Sequence, residues 1–279
     1  MLEISPPPSD KESAVKESEK KREESFPYTV PEAAAPLSPL PVDSHDIEEG
    51  GDFRIAHWVE KNVRQTFIRK VYSIISLQLL VTVGIVAVFT FVHPVSMYVR
   101  RNIALYYTSY FVFLISYLVL VFWNKIQRCF PWNLILMTVF TMAMGYMTGT
   151  IASMYNTKAV ILAMVITAVV TIIVTIFSFQ TKVDLTTWHG FFCVLAIVFT
   201  ITGCTAAIVL VYKYIYWLDM LFAALGAIVF TLFLAYDTQL LLGHKRFAIN
   251  PEDYVYAAIQ IYIDVVYLFL SFLRILGRK

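Results

Sequence analysis

Seven apolar runs, at about 71–92, 103–123, 132–153, 159–179, 190–211, 215–242 and 255–273, decide what this chain of 279 residues can fold into. Crossing the hydrocarbon core of a bilayer as a helix takes about 20 residues, and each run supplies about that many. In lipid every main-chain N–H and C=O needs a partner from the chain itself, so only helices and closed barrels span, and runs of this length select helices. The first five runs contain no Asp, Glu, Lys or Arg at all. With 58% hydrophobic and 15% charged residues, the composition departs from that of a soluble domain and suits a multi-pass membrane protein. The expected fold is an all-α polytopic membrane protein, its neighbouring helices made antiparallel by short connections, with the loops HPVSMYVRRN and NKIQRCFP among the longer ones. Small residues in MAMGYMTGTIAS (142–153) provide sites for close helix packing.

The charges divide the chain. Residues 1–52 carry 13 acidic and 5 basic residues, a net of −8, and eight of the eleven prolines. Residues 53–279 carry 7 acidic and 17 basic residues, a net of +10. The first segment is too polar to fold alone and is expected to be a disordered, cytosolic tail. Its PLSPLP string (36–41) has the form of a polyproline ligand for SH3 or WW domains. Residues 53–70 mix basic and apolar side chains. Phe53, Ile55, Trp58, Val63, Phe67 and Ile68 are placed to line one side of an interfacial helix, and a plain basic flank is the other reading. The membrane domain then occupies 71–279. The first 70 residues lack the apolar core of a signal peptide, so the first span itself is expected to direct insertion.

Basic residues near the span ends set orientation. An inward N-terminus gives ten Lys and Arg to the cytosolic side and seven to the other. Arg274, Arg278 and Lys279 argue the other way, and six spans plus a re-entrant seventh segment would return them to the cytosol. Nothing in this balance points to nucleic acid. Cys129, Cys193 and Cys204 make no metal or disulfide spacing, and the last two read as small packing residues.

Seven acids lie beyond residue 52: Glu60, Asp184, Asp219, Asp237, Glu252, Asp253 and Asp264. Asn250-Pro251 followed by Glu252 and Asp253 reads as a helix start, with Asn as N-cap and the acids at the positive end of the helix dipole. Asp219, beside Lys213, Tyr214, Tyr216 and Trp217, belongs to an aromatic interface belt. Asp237 and Asp264 sit inside the sixth and seventh runs, where an ionised side chain costs at least about 2.5 kcal/mol. Gln260, Asp264, Tyr267 and Ser271 recur at i, i+4, i+7 and i+11, a polar stripe that should face the bundle interior or a water path. Tyr236, Thr238 and Gln239 make the surroundings of Asp237 polar too, and Gln239 is a further candidate for path lining. The two acids reach one depth only if the seventh helix begins about two turns further out than the sixth ends. If they meet, they share one proton and form a pH sensor, and fully deprotonated they are transient metal ligands for a hard cation such as Ca2+.

FIRKVYSIISLQLL (67–80), LAYDTQLLLG (234–243) and NPEDYVYAAIQIYIDVVYLFLSFLRILG (250–277) resemble the transmembrane Bax inhibitor motif family, specifically its lifeguard group. The resemblance covers about residues 53–279. It implies a seven-helix bundle with the last helix central, a Ca2+ leak through intracellular membranes (endoplasmic reticulum or Golgi) and suppression of apoptosis. It also implies a paired-aspartate sensor and gate, which falls on Asp237 in YDTQ and Asp264 in YIDVV. A bacterial relative latches one acid with an Arg on the second helix. The second run here has no Arg or Lys, and Tyr106, Tyr107 or Tyr110 would offer only a neutral hydrogen bond.

The expected function is thus a pH-sensitive calcium leak channel that lowers stored calcium, with no cofactor and Ca2+ as cargo. The alternative is an anti-apoptotic interaction protein that binds apoptosis regulators through its N-terminal region. An intramembrane aspartyl protease also places two aspartates on consecutive helices. It needs Gly-x-Gly-Asp on the second, and Asp264 lies in Tyr-Ile-Asp, so no enzyme is expected. The plainest alternative for the acids is a hydrogen bond across the bundle, worth about 1 kcal/mol each.

Overall fold

The computed structural model describes residues 47–123, 128–213, 215–243 and 247–277. The chain divides into two units, residues 1–51 and 52–279, and the second holds the helical bundle. The expected disordered tail, PLSPLP included, lies outside the described residues apart from the opening of the first helix.

Among the described residues eight α-helices follow one another: α1 Ile47–Phe91, α2 His93–Arg101, α3 Ile103–Phe122, α4 Trp132–Ser153, α5 Thr157–Gln180, α6 His189–Tyr212, α7 Tyr216–Leu242 and α8 Tyr254–Leu276. Short 3-10 turns at Leu185–Trp188 and Pro251–Asp253 precede α6 and α8, and no strand occurs among the described residues. All of these helices except α2 are long and apolar enough to cross a membrane, which gives seven candidate spans. The protein is therefore an all-α, multi-pass bundle whose immediate surroundings are the lipid bilayer. The end at which α1 enters is the entry end, and the opposite one is the far end.

Three features differ from the sequence reading. Residues 53–70 are not set apart from the first span, because α1 runs through them without a break. Of the apolar residues expected along an interfacial face, Phe67 is buried with Val71 and Ile75, while Val63 is exposed. No Gly or Pro falls between 53 and 70, so the stretch holds no helix breaker at which α1 would stop. Second, HPVSMYVRRN is not a loop: with Pro94 in its first turn it forms α2, which buries Ser96 and Val99 and packs on α3 and α4. Third, α8 is unbroken for 23 residues, about 34 Å, so it has no internal turn at which a re-entrant segment would reverse.

The core follows α8. In its most apolar stretch 61% of positions are buried, the highest share of any span. One cluster joins Val86, Phe140, Met144, Val255, Ile259, Tyr262 and Val266, and a second joins Phe67, Val71, Ile75, Leu234, Leu241, Ala258, Ile261 and Val265. The α8 backbone lies against α7, α5 and α4, and α6 packs on α7. Helix α1 reaches α8 through Tyr262, whose hydroxyl is 2.7 Å from Thr82 Oγ1. Thr82 donates its own proton to the Gln78 carbonyl, so Tyr262 is the donor. Gln78 Nε2 in turn donates to Thr141 Oγ1 of α4 at 2.9 Å. Gly145 and Gly149 let α4 close on α1, since a Cβ at either would press on Ile85 or Phe89. All three cysteines are exposed, so Cys193 and Cys204 face outward and not into helix packing. Their spacing puts them on one helical face, and that face is the outer one.

At the entry end Pro251 opens the turn before α8, as its sequence suggests. Asn250, however, makes no side-chain cap hydrogen bond. Glu252 and Asp253 instead meet Arg128 from the connection between α3 and α4, with Asp253 held by two bonds of 2.9 and 3.2 Å and Glu252 by a contact of 2.9 Å. Its bond to Asp253 holds the pKa of the Arg128 guanidinium above its ordinary value.

Candidate functional site

The structure brings Asp237 and Asp264 together. They are 8% and 5% exposed and face each other between α7 and α8. The register that permits this is simple. Asp237 lies five residues before the end of α7, about 7.5 Å, and Asp264 lies ten residues into α8, about 15 Å. Helix α8 therefore starts about one and a half turns beyond the end of α7. Gly243 ends α7 with a left-handed φ of +67°, a conformation that glycine adopts without penalty. Ile249 then donates its N–H to the Leu240 carbonyl at 3.1 Å, pinning the returning segment to the last turn of α7.

Two carboxyl groups hydrogen-bond only when one of them carries a proton, because an ionised carboxylate is purely an acceptor. When the proton leaves, two like charges face each other in a medium of low dielectric. The same contact thus attracts or repels according to its proton occupancy. Asp264 Oδ2 has no hydrogen-bond partner among the described residues, so the pair retains an open acceptor. A lone pair of this kind suits water or a passing cation better than a resident metal. No cluster of three or more His, Cys, Asp or Glu occurs among the described residues, whereas a Ca2+ ion takes about 6–8 oxygens.

The polar stripe of α8 turns toward its neighbours. The Tyr117 hydroxyl of α3 donates to Gln260 Oε1 at 3.5 Å, and Tyr117 is within electrostatic reach of both acids. Tyr267 stacks on Phe230 of α7, ring centroids 5.0 Å apart. Ser271 lies against Gly226 of α7 and donates to the Tyr267 carbonyl. Gln239 is not brought to the pair. Two residues along from Asp237, it points about 200° away around the helix. There it receives the Leu185 N–H at 2.8 Å and donates to the Val183 carbonyl at 3.0 Å, tying down the connection before α6.

Sequence reasoning missed the contacts of three residues. Tyr117 comes to the acids from α3, whereas Tyr106 lies among Arg274, Tyr107 and Tyr110 toward the far end. A tyrosine in a run of YYTSY and ISY gives no hint of its depth. Tyr236, next to Asp237, bonds His189 Nδ1 of α6 and stacks on Phe192 at 4.3 Å, so the α7 turn that carries the acid is braced from outside. The third is Arg64. Its guanidinium donates to the carbonyls of Leu242 at 3.2 Å, Leu240 at 2.8 Å, Ile249 at 2.6 Å and Leu241. Hydrogen bonds from a charged donor contribute roughly 1.5–3 kcal/mol singly, and less per bond when one group makes several. An arginine in a basic flank looks like an orientation signal, which hid this role.

An all-α bundle of seven candidate spans, built around a last helix that holds a buried acid pair with α7, defines a class of multi-pass membrane protein. Residues 64–279 match the family model described as "Inhibitor of apoptosis-promoting Bax1". A human protein named "Protein lifeguard 3" is 57% identical over 261 residues, 91% of this chain and 84% of that protein. The mouse protein of that name is 56% identical over 259 residues, with the same shares. Mouse "Protein lifeguard 4" is 33% identical over 217 residues, 77% of this chain and 86% of that protein. The chain belongs to the Bax-inhibitor family, in its lifeguard group. The family is one of non-catalytic membrane proteins with a general anti-apoptotic function.

Proposed function

We propose that this protein is a pH-sensitive cation leak of intracellular membranes, chiefly for Ca2+, that restrains cell death by lowering stored calcium. Asp237 and Asp264 act as its proton sensor and gate. The observation that carries this reading is the buried contact between the two acids on adjacent helices. Polar glue needs only one acid and a neutral partner. Two acids in contact give a joint whose sign depends on one proton, and a pair of carboxylates is the kind of ligand a hard cation seeks. Gln260, Tyr267 and Ser271 extend a polar edge from the pair along the inner faces of α7 and α8. A cytosolic N-terminus agrees with the excess of basic residues at the entry end, and an endomembrane location agrees with the family likeness.

The test is Ca2+ efflux from proteoliposomes across pH 5 to 8, wild type beside Asp237→Asn and Asp264→Asn. The expected result is a pH-dependent flux in wild type that either substitution flattens. A pH profile that both variants leave unchanged, with protein shown folded and inserted, rules the gate out.

A further inference from the structure

Arg64 of α1 stands at the entry end of the membrane spans, and its side chain grips the last turn of α7 together with the segment that leads into α8. Three of its acceptors, the carbonyls of Leu240, Leu241 and Leu242, belong to the last turn of α7, where a helix leaves such groups without intrahelical donors. The fourth, the Ile249 carbonyl at 2.6 Å, belongs to the segment that leads into α8. The negative end of the α7 dipole adds to the attraction. Asp237 lies three residues before Leu240, less than one turn from the grip.

Two further observations bear on the same point. A side chain at Gly243 would strike Cζ, Nε and Nη2 of Arg64, so a Cβ there would push the guanidinium off its acceptors. Phe67, one turn along α1, is buried in the core with the Arg64 guanidinium 5.0 Å from its ring, which fixes where the side chain can reach. A lysine has no planar fork and would satisfy only part of this set.

We infer that Arg64 is a positioning residue for the acid pair: it sets the relative height of α7 and α8 and holds shut the approach to the pair from the entry end. This role rests on the leak function proposed for the pair. With the grip released, the last turn of α7 and the start of α8 separate, and the pair opens toward the entry end past Gln260, one turn before Asp264.

The experiment compares wild type, Arg64→Met, Arg64→Lys and Gly243→Ala as full chains. Gly243→Ala displaces the guanidinium while keeping its charge. Ca2+ efflux at fixed pH is expected to rise about tenfold in Arg64→Met and Gly243→Ala, the factor that corresponds to about 1.4 kcal/mol lost from the closed arrangement. Arg64→Lys is expected between these and wild type. The rise should vanish when Asp237→Asn is added, which a nonspecific leak through a damaged bundle would not do. Asp237-dependent flux in wild type with no change in either variant overturns the positioning role and leaves the leak reading standing. The second readout does not need flux. Gln260→Cys, in a background without the three native cysteines, is labelled by a membrane-impermeant thiol reagent from the entry side. Labelling should be about tenfold faster with Arg64→Met, by the same conversion. If no variant shows Asp237-dependent flux, the leak reading fails, and equal labelling rates then overturn the positioning role as well.

Discussion

Helices α6 and α8 are near equals in length and both are apolar, yet they live in different solvents. In the most apolar stretch of α6 only 6% of positions are buried, against 61% in α8. The more apolar of the two is the exposed one. In water this would be an error of folding. In a bilayer the lipid is as apolar as Leu, so burial is driven by packing, small residues and polar contacts. Helix α8 has those: Asp264, Tyr262 and Ser271 inward, and Ala257 and Ala258 for close approach. Helix α6 presents Val194, Ile197, Val198 and Ile201 outward. Polarity here marks the inside.

Three substitutions sharpen or break that contrast, each read by thermal unfolding of the purified protein in detergent. The largest effect is expected from Tyr262→Ala on α8. It empties a fully buried site and strips Thr82 of its donor, for a loss of about 3–5 kcal/mol. Gly226→Val tests the close approach of α7 to α8. Its side chain would press on Ser271 Oγ, already committed to the Tyr267 carbonyl, and overpacking of this kind costs roughly 1–3 kcal/mol. Ile197→Ala on α6, 60% exposed, should change stability by no more than about 0.5 kcal/mol. A cost there equal to that of Tyr262→Ala would mean that the outer face of α6 is covered by something other than lipid.

The same contrast explains what could be read from the sequence. The seven spans were visible because a bilayer leaves a long apolar run few alternatives. The acids were visible for the converse reason, as costly exceptions in apolar runs. Their meeting was only conditional, since counting residues left an offset of about two turns that only the Gly243 cap and the main-chain bond from Ile249 to Leu240 resolve. Arg64 and Gln239 were misread or passed over because their partners are main-chain groups brought close by tertiary packing, which leave no mark in a sequence. Helix α2 was hidden by its Pro and two arginines, which read as a loop until Pro94 is seen as its first turn.

The entry end carries two arginines with unlike partners, and this gives it a graded response to its medium. Arg128 holds the lead into α8 through two carboxylates, its own side chain 45% exposed, Glu252 72% and Asp253 21%. Arg64 holds the same region through carbonyl dipoles within a half-buried pocket. At about 0.1 M salt the Debye length is roughly 10 Å and shortens as salt is added, so mobile ions compete for the first tie and hardly touch the second. Rising ionic strength should thus free the connection between α3 and α4 from α8 while the α1 grip persists, making this rim of the bundle an ionic-strength gauge laid over a salt-indifferent hinge pin.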